Sequence, residues 1–223
     1  MTAIPIRLPI TIAILREGYT GAFHVGPSAK PINVLLDTGS SNLVVGQRTY
    51  DPQQDAAARS TRLVQDVQYA DHSGWRGSIV KTVVSFCGQK HTIALSEVHV
   101  AVAYCERSNP FGTAEGILGL AYRPLDDARR LLPGAARPKC SEDFSRHSRA
   151  TSIEPYFMQL ERAGQVANKF AFYTRRSRVR ASIRALRCRM NLRWLISSPL
   201  TGQGTDQLAH RTGSSAAHCA RSR

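Results

Sequence analysis

The run Val34-Leu35-Leu36-Asp37-Thr38-Gly39-Ser40-Ser41-Asn42-Leu43-Val44-Val45 constrains this chain more than any other. An apolar segment of strand length ends on one carboxylate, a tight Thr-Gly-Ser-Ser turn follows, and a second apolar segment leads away. Aliphatic and β-branched runs bounded by turn residues predict two strands meeting at a loop. Both flanks favour burial, so the loop and Asp37 are expected to be held rigidly against a core. Gly39 lets the backbone approach the carboxylate closely. Thr38 and Ser40 supply hydroxyls able to orient it and lock the loop.

A lone exposed Asp has a pKa of about 3.9 and does little to a peptide bond. Two carboxylates about 3 Å apart cannot both ionise, so they share a proton and titrate as a pair. The ionised member then takes a proton from a water that attacks a carbonyl, and the protonated member hydrogen-bonds the carbonyl oxygen. Asp37 is framed for half of that task. No second Asp-Thr-Gly or Asp-Ser-Gly occurs in the chain.

The string Asp37–Val45 with its apolar lead-in resembles the N-terminal active-site loop of pepsin-like aspartic peptidases. Further landmarks follow in that family's order. Gly18-Tyr19-Thr20-Gly21-Ala22-Phe23-His24-Val25-Gly26 is similar to the opening hairpin strand. Val67-Gln68-Tyr69-Ala70-Asp71-His72-Ser73-Gly74 is similar to the flap, a hairpin that closes over substrate, with Gly77–Val80 as its return. Ala114–Tyr122 carries the Gly-Ile-Leu-Gly-Leu segment that packs beneath the active-site loop. Tyr156–Leu160 and Gln165–Tyr173 resemble the helix and strand that close the lobe. The family often has Trp at the place of Val44, where it hydrogen-bonds the flap tyrosine, and Val44 cannot do this. His72 stands where many flaps carry Gly and reads as an exposed residue of the hairpin tip.

The resemblance implies a mainly β fold: a pepsin-like β-barrel lobe with a short helix over residues 1–174, then an irregular or disordered tail over 175–223 that is not a native second lobe. It implies that Asp37 is one of two catalytic aspartates, framed by Thr38, Gly39 and Ser40. Tyr69 and Asp71 belong to the substrate-binding flap. A polypeptide substrate is implied, with no cofactor, no metal, no nucleic acid and no membrane. A second lobe or a second chain is the partner that completes the dyad.

Composition supports the β reading. Short runs such as Ile32–Leu36, Ser78–Phe86 and His91–Val102 are punctuated by Gly, Pro, Asn and Asp. A hydrophobic content of 42% suffices for a core. The clearest helical spacing is Ile153–Ala163, with Ile153, Tyr156, Phe157 and Leu160 on one face. Ile10–Leu15 reads as a first strand; it follows two prolines and shows no small-residue cleavage site, so no signal peptide is expected. No stretch approaches the length of a membrane span. The five cysteines lack metal-type spacing, and a pairing among Cys87, Cys105 and Cys140 is left open.

A net charge of +14 suggests an anionic partner at first sight. Its distribution argues otherwise. Residues 1–174 hold 19 Lys/Arg against 15 Asp/Glu, whereas 175–223 hold 11 Arg, no Lys and the single acid Asp206. The tail also has 7 Ser and 6 Ala, and only Leu192–Ile196 forms an apolar patch. Such text is what a GC-rich coding region often yields out of frame, so a frameshift or mispredicted junction near residue 175 is expected. His210-Arg211-Thr212-Gly213-Ser214-Ser215 looks like a second active-site loop with Arg for Asp. No strand leads into it, and it is read as coincidence.

The leading functional reading is therefore an aspartic endopeptidase present as one lobe. An alternative is a retropepsin-like homodimer in which each chain gives one Asp-Thr-Gly. Another is a non-catalytic β-rich binding module whose Arg-rich tail meets acidic surfaces with strong salt dependence.

Overall fold

The computed structural model describes residues 5–13, 18–28, 30–88, 92–121, 127–167, 169–173 and 192–197. The chain folds into a mainly β architecture. Its strands are β1 (Pro5–Ala13), β2 (Gly18–Val25), β3 (Ile32–Asp37), β4 (Leu43–Gly46), β5 (Arg59–Gln68), β6 (Gly74–Cys87), β7 (Thr92–Arg107), β8 (Gly116–Gly119), β9 (Asp127–Leu131), β10 (Ser148–Ser152), β11 (Phe170–Tyr173) and β12 (Leu192–Ser197). One α-helix occurs among the described residues, α1 (Tyr156–Arg162).

Six strands close a barrel. β2 pairs with β3, β3 with β8, β8 with β4, β4 with β7 and β7 with β6, and β6 returns to β2 through His24↔Ser85 and Val25↔Val84. Closure removes free strand edges, which otherwise invite pairing with other chains. The period-two alternation of β3 sends Ile32, Val34 and Leu36 inward. They join Phe23, Val25, Val84, Phe86, Val98 and Val100 in the larger core. A second core on the opposite face gathers Val44, Leu63, Trp75, Ile79, Phe111 and Ile117. The central strands are buried on both faces because each core takes alternate residues from them.

Helix α1 covers the larger core with Tyr156, Phe157 and Leu160, and Tyr156 meets Phe23 edge-on at 6.4 Å. The helix starts three residues later than its apolar spacing predicts. Pro155 disfavours helical backbone at Glu154, so Ile153 lies outside the helix and packs in the second core instead. The predicted strands at Ile32–Leu36, Ser78–Phe86 and His91–Val102 all fall within β3, β6 and β7, apart from His91, which lies outside the described residues. β1 begins at Pro5 rather than Ile10, and Ile14 and Leu15 lie outside the described residues.

Two features settle what the sequence left open. Cys105 bonds Cys140, closing a loop of separation 35. The patch Leu192–Ile196 is strand β12, which lies between β1 and β11 in the sheet. The rest of the tail, including the His210–Ser215 string, lies outside the described residues.

Buried polar groups tie the loops to the sheet. Arg76 is buried, donates to Asp66 and to the backbone carbonyls of Lys139 and Glu142, and stacks over Phe144 at 4.9 Å. Arg107 donates to the other Asp66 oxygen at 2.7 Å. With the disulfide, this arrangement fastens the segment after β9 to the β5–β6 hairpin close to its turn, where Asp66 pairs with Arg76.

Asp55 forms a second anchor, 5% exposed. Tyr50 Oη and Thr82 Oγ1 each donate to its Oδ2 at 2.5 Å, and the Ala57 N–H donates to Oδ1 at 2.8 Å. Gly26 sits at φ +66, and a Cβ there would lie 2.5 Å from Asp55 Oδ2. Burial pushes the Asp55 carboxyl up, but the hydrogen bonds from Thr82, Tyr50 and the backbone outweigh it, and the group lies below the ordinary carboxylate range. A lowered folded-state pKa makes stability fully present above the unfolded value of about 3.9 and lost as pH falls through the folded value. Asp55→Asn is expected to cost roughly 2–3 kcal/mol near neutrality and to flatten this acid limb, read by denaturant unfolding across pH. An unchanged acid limb would remove Asp55 as its source.

Candidate active site

The site begins where β3 ends. The register pairs Asp37 with Gly119 of β8 in parallel, while β4 returns antiparallel on the other side of β8, pairing Leu43 with Leu118. β8 is thus threaded between the two strands that flank the Thr-Gly-Ser-Ser turn. Three backbone hydrogen bonds close the arrangement: Gly119 N to Asn42 O at 2.8 Å, Leu120 N to Asp37 O at 2.7 Å and Ala121 N to Ser40 O at 2.9 Å.

Gly119 is required by this threading. A Cβ there would lie 2.5 Å from Asn42 N and from Ser40 C and O, all backbone atoms with no room to give. The loop therefore rests directly on the β8 backbone. Asn42 is buried and its Oδ1 accepts from Gln65 Nε2 at 2.8 Å, linking the turn to β5 of the flap hairpin.

Asp37 is half-buried at the tip of β3, and the Gly39 N–H donates to its Oδ1 at 2.8 Å. The expected hydroxyl ligands behave differently. The Thr38 side chain is exposed, and Ser40 Oγ is buried without a hydrogen-bond partner among the described residues. The Gly39 backbone, rather than either hydroxyl, orients the carboxylate here.

The β5–β6 hairpin carries the flap sequence. Gln68 pairs with Gly74, and the tip Tyr69–Ser73 is closed by Tyr69 N to Ser73 O at 2.8 Å and His72 N to Tyr69 O at 3.1 Å. Asp71 Oδ1 accepts from Ser73 N at 2.9 Å and Ser73 Oγ at 2.6 Å. These bonds hold the exposed Asp71 carboxyl below its ordinary range. Its role is to shape the turn it stands in. His72 adopts φ +65, the left-handed backbone that glycine takes without strain.

Tyr69 is the flap residue that packs against the cluster holding Val44, as Leu35 of β3 does. Burial pushes its phenol up, the Trp75 hydrogen bond opposes this, and the charges of Asp37 and then Asp71 push it further. The flap tyrosine and the two strands flanking the Asp37 turn thus share one apolar cluster.

Trp75 is the functional residue that sequence reading missed. Its indole Nε1 donates to Tyr69 Oη at 3.0 Å. The ring is fully buried in the cluster that also contains Val44 and Phe111. The tryptophan absent at position 44 is thus replaced by one from the flap's own return strand. The signal was present: Trp75 pairs with Val67, so it is the diagonal cross-strand neighbour of Tyr69 on the same face.

Among the described residues, no group of three or more His, Cys, Asp or Glu side chains could hold a metal ion. The chain matches the family model for eukaryotic aspartyl proteases over residues 18–133. It belongs to the eukaryotic aspartyl protease family. That span covers the opening strand, the Asp37 loop, the flap and β8, the elements whose geometry is described above.

Two substitutions test the framework of this aspartyl protease site. Gly119→Ala is expected to destabilise the fold by about 2–3 kcal/mol or more, because its Cβ collides with backbone. A chemical denaturation midpoint unchanged from the parent would contradict the threading. Trp75→Phe keeps an apolar ring but removes the donor to the Tyr69 hydroxyl and part of the buried volume, at a cost of about 1–3 kcal/mol. Hydrogen exchange of the Tyr69–Ser73 amides is expected to accelerate. Parent-like protection would show that the indole does not position the flap.

Proposed function

We propose that this chain supplies one catalytic aspartate, Asp37, to a pepsin-like aspartic endopeptidase that cleaves polypeptides with an Asp-activated water. In this reading residues 1–174 form the N-terminal lobe, and the second carboxylate comes from a second lobe or a second chain. The observation that carries it is the Asp37 carboxylate held by the Gly39 N–H, with the flap's Tyr69 packed against the cluster that Leu35 and Val44 of the flanking strands also meet. Thr38, Gly39 and Ser40 frame the carboxylate.

Each residue then has a chemical task. Asp37 shares a proton with its partner carboxylate and acts as general base towards water or as hydrogen-bond donor to the scissile carbonyl. The flap, with Tyr69 and Asp71, closes over the peptide and excludes bulk water. Trp75 holds the Tyr69 ring in the orientation that meets substrate. Desolvation by the closed flap strengthens the electrostatic interactions of the dyad.

One carboxylate cannot perform both roles, so the monomeric chain is expected to show background turnover of a fluorogenic peptide at acid pH. Asp37→Asn is the control, and sedimentation of the full chain under the same conditions gives its oligomeric state. Turnover that disappears in Asp37→Asn while the chain sediments as a monomer would overturn this reading. The same turnover from a dimer would identify a second copy as the source of the partner carboxylate.

A further inference from the structure

Gln65 lies on the face of β5 that the Asp37 turn meets. The two-residue period puts Leu63, Gln65 and Val67 on one side of the strand, and Tyr69 follows in the same phase. Leu63 is buried in the cluster that contains Val44 and Trp75, and Val67 and Tyr69 pack against that cluster. Gln65 is therefore an amide on an otherwise apolar face, and it is 1% exposed.

Its partner, Asn42, stands between the Thr-Gly-Ser-Ser turn and β4 and is 4% exposed. Gln65 Nε2 donates to Asn42 Oδ1 at 2.8 Å across 23 residues of sequence. The Asn42 backbone carbonyl accepts from Gly119 N. One residue of the turn is thus held by β8 through its main chain and by the flap hairpin through its side chain.

Stability alone does not account for such a pair. A buried amide must be hydrogen-bonded, and two apolar side chains of the same shape in its place are close to neutral for stability. What the hydrogen bond adds is direction, which apolar contact lacks. Its place in the hairpin matters too. β5 pairs with β9 at Leu63 and Val64, and with β6 alone from Gln65 to Gln68. On the opposite face of this stretch, Asp66 accepts from Arg76 and Arg107. On the near face, the Gln65 amide makes a directional contact with the turn.

We propose that Gln65 is a positioning residue of the site. Through Asn42 it seats the inner face of the flap hairpin on the Asp37 turn, and so fixes where Tyr69 stands relative to the carboxylate. The role rests on the peptidase reading, whereas the seating itself is read from amide exchange. Turnover and exchange can therefore fail independently.

Amide hydrogen exchange of the full chain, followed residue by residue by NMR, tests this. Gly119, Leu120 and Ala121 report on the turn, because their N–H groups bind its carbonyls, and Tyr69 and His72 report on the flap tip. Val100 and Val102 of β7, paired with β6, report on global opening. Gln65→Met keeps an unbranched side chain of the same length and removes the amide. It is expected to speed turn and flap exchange about tenfold more than exchange at Val100 and Val102. Asn42→Leu/Gln65→Met, an apolar pair of closely similar shape, is expected to recover the parent denaturation midpoint while turn and flap amides stay fast. Asn42→Gln/Gln65→Asn keeps both amides and their combined length, and is expected to restore protection. If Gln65→Met does not fold, the apolar pair decides. Parent-like protection in the folded apolar pair overturns the proposal, because packing alone then seats the flap. Acceleration that Val100 and Val102 share equally, or a folded swapped pair whose turn and flap amides stay fast, overturns it as well.

Discussion

The whole site depends on one close backbone approach: β8 passing under the Asp37 turn with no side chain at Gly119. The strand that carries the aspartate and the strand that leaves it both pair with β8, so the loop cannot shift without breaking two ladders. Gly119 N, Leu120 N and Ala121 N satisfy the carbonyls of Asn42, Asp37 and Ser40, the polar groups that a buried turn would otherwise leave unpaired. A carboxylate fixed by backbone rather than by long side chains loses little entropy when a substrate arrives.

The flap is tied to that turn by two different kinds of contact. Gln65 bonds Asn42 from within β5, a short polar link between sheet and loop. Trp75 bonds Tyr69 from within β6, an internal brace of the hairpin itself. Val44 packs in the same cluster as the indole and Phe111, so an apolar residue on β4 leaves the brace to the flap's own strand. Close to its turn the hairpin is fastened by the Asp66–Arg76 pair, and Cys105, opposite Arg76 on β7, is bridged to Cys140. Only the turn Tyr69–Ser73 extends beyond that fastening.

Much of this was legible in the sequence because local patterns and burial agree. Ile32, Val34 and Leu36 alternate as a half-buried strand must, and they are buried. The tight Gly-Ile-Leu-Gly segment is β8, buried throughout. Other features were not legible because they depend on distant partners. The helix lost its first turn to Pro155, a local rule that apolar spacing overrode in the prediction. β12 reads as a lone apolar patch until β1 and β11 lie on either side of it. The hydroxyls of Thr38 and Ser40 were assigned to Asp37 from composition, whereas the carboxylate is met by the nearer Gly39 N–H.

The sequence by itself determined the strand–turn–strand around Asp37, the flap hairpin and the family to which they belong, because each is written in contiguous residues with strong local preferences. Only the tertiary structure decided which cysteines pair and where β12 enters the sheet. Those are contacts between segments tens of residues apart. Their formation depends on the register of the assembled strands, which no local pattern encodes.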